Sequence, residues 1–165
     1  MKKYVLDLKV SSVERVNARN VLIKLTDEKP LPEMLPGQFV EVSVDGSPST
    51  FLRRPISINF VDKERNELWL LVATVGEGTR TLARLREGDR LNCVLPLGNT
   101  FAPLASSSER VLLVGGGVGV APLLYFGKQI KEAGGTPVFL LGARTAADLA
   151  EVSLCLLYTS PSPRD

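Results

Sequence analysis

Along the first hundred residues, apolar and polar positions alternate in short runs rich in Val, Ile and Leu, and turn residues interrupt them at short, regular intervals. Alternation with a period of two puts successive side chains on opposite faces of a strand. It predicts strands at 4–10, 20–25, 38–44, 55–60, 67–73 and 89–95, separated by signals such as Leu35-Pro36-Gly37 and Val44-Asp45-Gly46. Six strands with no long helix between them suit a small closed antiparallel barrel, because closure removes exposed edges. One helical stretch is expected at 79–86, where Leu82 and Leu85 share a face and Gly88 follows as a stop.

The pattern changes after Pro103. Ser106-Ser107-Ser108 reads as a polar linker, and RVLLV at 110–114 is a continuous apolar run of the kind buried in parallel sheets. It enters the turn Gly115-Gly116-Gly117-Val118-Gly119-Val120-Ala121-Pro122, followed by an amphipathic helix to about Ala133, a Gly134-Gly135 stop and a second apolar strand at 137–141. This is one βαβ unit. The expected fold class is therefore β followed by α/β: a six-stranded antiparallel barrel over 1–104, then an incomplete Rossmann-like nucleotide-binding domain over 105–154. It is incomplete because two strands leave the apolar faces of RVLLV and PVFLL without flanking strands. Residues 155–165, CLLYTSPSPRD, have neither helical period nor strand alternation. They are similar to the translation of a sequencing-library transposon adapter, which makes a non-native tail the expectation and a natural Ser/Pro tail the alternative.

Composition narrows the chemistry. Twenty Lys plus Arg against eighteen Asp plus Glu give a formal charge of +2 with no basic cluster, so neither nucleic acid nor a membrane surface is expected as partner. There is no His, which removes imidazole bases, His-dependent nucleophiles and His-containing zinc sites. Two cysteines, Cys93 and Cys155, do not make an iron–sulfur or zinc site, and no metal ligand is assigned. Cys93 alternates with Leu91 and Leu95 and is assigned to the barrel core. Met1-Lys2-Lys3-Tyr4 runs straight into a strand pattern and no apolar run reaches the length of a membrane span, which gives a cytoplasmic expectation.

Three motifs remain. Gly115, Gly117 and Gly119 sit at a strand-to-helix bend that can aim backbone N–H groups at a phosphate, or can simply let helix and strand pack closely. Arg53-Arg54-Pro55-Ile56-Ser57 combines permanent cations with a hydroxyl at a strand start, although such arginines are often only solvated. Gly76-Glu77-Gly78-Thr79 opens the expected helix, where Thr79 can serve a phosphate or cap the helix.

In this order, on these two domain types, R-P-x-S, G-x-G-T and G-G-G-x-G-x-A-P resemble the ferredoxin-reductase-like flavoproteins. Leu35-Pro36-Gly37-Gln38-Phe39, Pro96-Leu97-Gly98-Asn99 and Leu140-Leu141-Gly142-Ala143-Arg144 extend the resemblance over essentially 1–154. Within that family LRRPISI and VGGGVGVAPL look most like the electron transfer subunits of dihydroorotate dehydrogenases of the B type. The resemblance implies an FAD-binding barrel in which Arg54 pairs with the pyrophosphate, Pro55 and Ile56 shape the backbone beside the isoalloxazine, and Ser57 offers its hydroxyl or N–H to the ring. Leu71, Val72 and Ala73 would line the flavin or its ribityl chain, Gly78 and Thr79 would hold phosphates, and Gly115, Gly116, Gly117 and Gly119 would receive the pyrophosphate of NAD.

No catalytic side chain is implied, since the flavin carries the chemistry. The resemblance also implies a [2Fe-2S] cluster, whose cysteines this sequence lacks, and a catalytic FMN-containing dihydroorotate dehydrogenase subunit as partner in a heterotetramer. Electrons would pass from that partner through FAD to NAD, in pyrimidine biosynthesis, and the chain alone would be inactive. A ferredoxin- or sulfide-linked NAD(P)H reductase subunit, and a flavin-binding module without turnover, stay open as alternatives. NAD against NADP is also open, because Arg144 suits a 2′-phosphate or plain solvent equally.

Overall fold

The computed structural model describes residues 2–104 and 106–158. Its first lobe is one curled antiparallel sheet of seven strands in the order β4-β3-β7-β1-β2-β6-β5, with β1 at Tyr4–Arg15, β2 at Asn20–Thr26, β3 at Phe39–Val42, β4 at Arg54–Ser57, β5 at Phe60–Asp62, β6 at Glu67–Ala73 and β7 at Arg90–Leu97. The strand expected at 55–60 is two strands, which accounts for seven in place of six. The Ile58 N–H donates to the Gln38 carbonyl on the β3 side, and the next N–H, of Asn59, donates to the Trp69 carbonyl of β6. One continuous segment thus supplies both ends of the sheet, and β4 comes against β6 as the sheet curls. Pro55 is tolerated because β4 is an edge strand paired only with β3.

β1 is longer than alternation predicts because it serves two neighbours in succession, β7 through Tyr4–Lys9 and β2 through Lys9–Arg15, with an irregular register between Val10 and Ser12. The expected helix at 79–86 begins earlier and ends sooner, as α1 at Glu77–Leu82. The Gly76 N–H donates to Thr79 Oγ1 at 3.0 Å, which sets the helix start, and Arg84 and Leu85 fall into i−3 turns beyond it.

The second lobe is β8 at Arg110–Gly116, a 3-10 turn at Gly117–Val120, α2 at Ala121–Glu132 and β9 at Thr136–Gly142, with β8 and β9 parallel and in register from Arg110 against Thr136 to Gly116 against Gly142. Pro122 stands in the first turn of α2, where its missing N–H costs nothing. Gly127 lets β9 pack directly on that helix: an added Cβ would stand 2.4 Å from the Phe139 ring. The other face of this small sheet leaves Leu112, Val114 and Leu140 exposed. The stretch from 155 on, expected to lack regular structure, enters a short helix α3 at Val152–Leu156 with Cys155 buried and Tyr158 6.3 Å from Phe60 between ring centroids. Residues 159–165 of that stretch lie outside the described residues. Among the described residues no helix is long and apolar enough to cross a membrane.

The lobes share one apolar core, in which Ala121, Leu124 and Tyr125 of α2 pack with barrel residues such as Met34 and Phe60. Two buried polar ties cross the seam. The Tyr125 hydroxyl donates to the Met34 carbonyl at 3.1 Å. The Asn59 amide, wholly buried, donates to the Ala121 carbonyl at 2.9 Å and to Glu151 Oε2 at 3.0 Å. Glu151 is 6% exposed and has a left-handed backbone, φ 59°; its Oε1 has no partner. Burial pushes its carboxyl up from an ordinary 4.5 to about 7, against a smaller lowering by the Asn59 amide.

That shift has a signed consequence for stability. Below the ordinary carboxylate range Glu151 is neutral folded and unfolded, whereas between about 4.5 and about 7 only the unfolded chain gains by ionising. Stability should therefore fall as pH rises through this window, by about 3 kcal/mol in all. Urea denaturation of wild type and Glu151→Gln from pH 5 to 8 measures it: the difference between the two should grow with pH, and a constant difference would rule out the buried acid as its source.

Candidate functional site

Two cavities meet at the strand-to-helix turn of the second lobe. The first, of about 340 Å³, lies between the lobes and is lined by Pro55, Ile56 and Ser57 of β4, Leu71 and Ala73 of β6, Thr79 of α1, and Val118, Gly119, Ala121 and Pro122. The second, of about 470 Å³, opens between the β1–β2 turn and the end of β9, with Arg19 and Asn20 on one side, Gly142, Ala143, Arg144 and Asp148 on the other, and Gly116 and Gly117 at its floor. Ala73 and Val118 line both.

The structure thus gathers Pro55, Ile56, Ser57, Leu71, Ala73, Thr79 and Gly119 around one space, and Gly116 and Gly117 around its neighbour. Val72 is not with them, because strand alternation turns it to the opposite face, where it is 1% exposed. Gly115 lines neither space; an added Cβ would stand 3.0 Å from Val120 Cα, so its smallness lets the turn fold back on the strand. Gly116, Gly117 and Gly119 have nothing within 4 Å of an added Cβ and so leave backbone facing open space, and Gly117 also holds φ at 54°.

The two arginines divide their work. Arg53 Nη1 donates to the Asn92 carbonyl at 3.0 Å and the Glu41 carbonyl at 3.4 Å, and its Nη2 reaches Asn92 Oδ1, so it pins the entry of β4 to β3 and β7. Arg54 makes only a local bond, Nε to the Arg53 carbonyl at 3.1 Å, and no carboxylate among the described residues pairs with it. Its stem lies beside the first turn of α1: an added Cβ on Gly78 would be 3.6 Å from Arg54 Cδ and 2.9 Å from the Thr50 methyl. Gly78 is therefore small for packing, and it lines neither cavity. The Thr79 hydroxyl, already bonded to the Gly76 N–H and carbonyl, leaves its backbone as the part available to a ligand.

Sequence reasoning did not find Arg19, Asn20, Val75 or Asp148. They reach the second cavity only through the docking of the lobes, where Asn17 Nδ2 donates to the Asp148 carbonyl at 3.2 Å and Arg19 Nε stands 4.0 Å from the Asp148 carboxylate. Cysteine chemistry has no foothold. Burial pushes Cys93 and Cys155 each up to about 12, far from thiolate formation near neutrality. The described residues hold no group of three or more His, Cys, Asp or Glu placed for a metal.

No protein-family model matches the chain. Curated relatives do. A protein of Lysinibacillus sphaericus named dihydroorotate dehydrogenase B (NAD(+)), electron transfer subunit, is 44% identical over 115 residues, which cover 68% of this chain and 44% of that protein. One of the same name from Shouchella clausii is 44% identical over 116 residues, covering 69% and 44%. The chain spans less than half the length of the curated relatives it matches.

Among solved structures, an NADH-dependent reduced ferredoxin-NADP oxidoreductase described for flavin-based electron bifurcation superposes with a TM-score of 0.79 at 29% identity, over 92% of this chain and 54% of that one. Phthalate dioxygenase reductase, described as modular for electron transfer from pyridine nucleotides to [2Fe-2S], gives 0.73 at 26%, over 89% and 46%. Over the matched residues the chain is a homologue of the electron transfer subunits, and its fold is that of the ferredoxin-reductase-like FAD/NAD flavoproteins.

The unequal arginines give a direct test of this geometry. Arg53→Ala should cost about 1.5 to 3 kcal/mol by stripping charged donors from buried carbonyls, whereas Arg54→Ala should stay within about 0.5 kcal/mol of wild type without ligand. Denaturation of the two variants would reverse the assignment if Arg54→Ala proved the more damaging.

Proposed function

We propose that this chain carries the flavin of an electron transfer subunit, holding FAD with its isoalloxazine in the cavity bounded by Pro55, Ile56, Ser57, Leu71 and Ala73, and receiving NAD across Gly116, Gly117 and Gly119. One observation carries the reading: the two cavities share Ala73 and Val118, so a planar ring in each would lie against the same two side chains. Hydride transfer requires that closeness of donor and acceptor. The residues present fit such ligands. Arg54 is a cation without an anion beside a helix start, the Gly turn has open space where side chains would stand, and the first cavity is apolar on the barrel side with a single hydroxyl, Ser57, among its β4 residues.

Bound FAD would supply the exchange between two-electron and one-electron steps. The chain's own residues do the rest. Arg54 balances phosphate charge, β4 presents its backbone and the Ser57 hydroxyl to the ring, and the seam between the lobes excludes water from one face.

The names of the relatives, as electron transfer subunits of a dihydroorotate dehydrogenase, extend the proposal to electron exchange with a catalytic dihydroorotate dehydrogenase subunit. We propose further that this partner carries FMN, that the two form a heterotetramer, and that the pair serves pyrimidine biosynthesis in the cytoplasm. A [2Fe-2S] cluster between them would be held by residues outside this chain, and turnover would need the additional length that the relatives have. NAD is favoured over NADP by the relatives' name. The second reading, a reductase that serves a ferredoxin-type partner, is favoured by the fold shared with phthalate dioxygenase reductase.

Titration of FAD into the purified chain tests the proposal. Wild type should bind it, and Arg54→Ala should weaken binding by about 1.5 to 3 kcal/mol, the contribution of a charge-assisted contact to phosphate. Gly116→Val, at an extended backbone with open space before it, should leave FAD bound and weaken NADH binding at least about tenfold. Loss of FAD with NADH binding retained would reverse the two cavities.

A further inference from the structure

Phe51 is 91% exposed and Leu52 74% exposed, on the loop that leads into Arg54. A wholly exposed aromatic ring is usually paired with a mobile segment, but this loop is fastened. The Thr50 N–H donates to the Ser47 carbonyl at 3.0 Å, Ser47 Oγ donates to Thr50 Oγ1 at 2.7 Å and lies 3.3 Å from Glu77 Oε1, and Ser49 Oγ reaches Glu77 Oε2. The Thr50 methyl also fills the space in front of Gly78. The protein therefore fastens the backbone beside a bare phenyl ring near the first turn of α1, while no ring contact holds Phe51 within the described residues.

The order of groups along the chain says what the ring is for. Pro55, Ile56 and Ser57 line the first cavity, Arg54 precedes them with its stem at the first turn of α1, and Phe51 stands three residues before Arg54, at most roughly 10 Å of extended chain away, next to Thr50, whose methyl faces the same Gly78. A dinucleotide with its flavin ring in the cavity and its pyrophosphate at Arg54 has one ribose and one purine still to place, and they must leave the phosphates on the side away from the cavity. The fastened loop is the chain that adjoins Arg54 and the first turn of α1. We infer that Phe51 seats the adenine ring of the bound flavin dinucleotide by stacking, and so makes this chain select FAD over FMN. The inference rests on the flavin reading above and adds to it the residue that reads the nucleotide end.

Titrations of FAD and FMN into wild type, Phe51→Ala and Phe51→Trp, with thermal melts of each unliganded variant, decide it. Loss of a base–aromatic stack should weaken FAD about 5- to 150-fold in Phe51→Ala, Phe51→Trp should restore FAD affinity, and the melts should not move, since the ring touches nothing it stabilises. FMN, which has no purine, should bind the three proteins alike. FAD affinity unchanged in Phe51→Ala, or lowered for FAD and FMN by the same factor, would overturn the adenine seat while leaving flavin binding intact. Failure of wild type to bind either flavin would overturn the flavin reading itself, and this inference with it.

Discussion

Asn59 is the residue on which the architecture turns. Its backbone N–H pairs with β6 just after the neighbouring N–H of Ile58 has paired toward β3, so that the chain switches from one end of the curled sheet to the other, and its side-chain amide crosses to the second lobe, where it holds the Ala121 carbonyl at the start of α2. A wholly buried amide is costly unless its donors are met. Here both amide hydrogens are used, on Ala121 and on Glu151, while the amide oxygen is left without a partner. The switch of the chain across the curled sheet and the tie to the start of α2 therefore meet at one residue.

Around this node the small residues fall into two physical groups. Gly78, Gly115 and Gly127 are small because another atom occupies the place of a side chain: the Thr50 methyl, the Val120 backbone and the Phe139 ring. Gly116, Gly117 and Gly119 are small with nothing in front of them. The first group builds the shape and the second leaves it open. The same division separates Arg53, spent on carbonyls of β3 and β7, from Arg54, which reaches only the carbonyl of its neighbour Arg53.

Alternation along the chain was enough to read most of the sheet, and β6 runs over the same residues, Glu67–Ala73, that the pattern marks. What it could not show were facts of long range. The split at Ile58 and Asn59 depends on which distant strand each N–H meets, and nothing in PISINF announces it. The length of β1 depends on a change of neighbour, and α3 is too short to display a helical period. For the site, the motif residues of β4 and α1 and the open glycines of the turn were legible because local backbone chemistry selects them. Arg19 and Asp148 were not, since only docking of the lobes brings them to the second cavity. The two arginines of LRRPISI are indistinguishable as letters and separate only by their hydrogen bonds.

The burial of both sulfurs bears on the fidelity of electron flow. A protein proposed to handle electrons one or two at a time is exposed to leakage wherever a thiolate lies within reach of oxidant, because sulfenate formation and mixed disulfides begin from that anion. Cys93 is sealed inside the barrel and Cys155 against the second lobe, each held protonated well above neutrality. Neither thiol therefore offers an oxidant that first foothold. On the reading proposed above, electrons would pass instead between ligands held in the two cavities that share Ala73 and Val118.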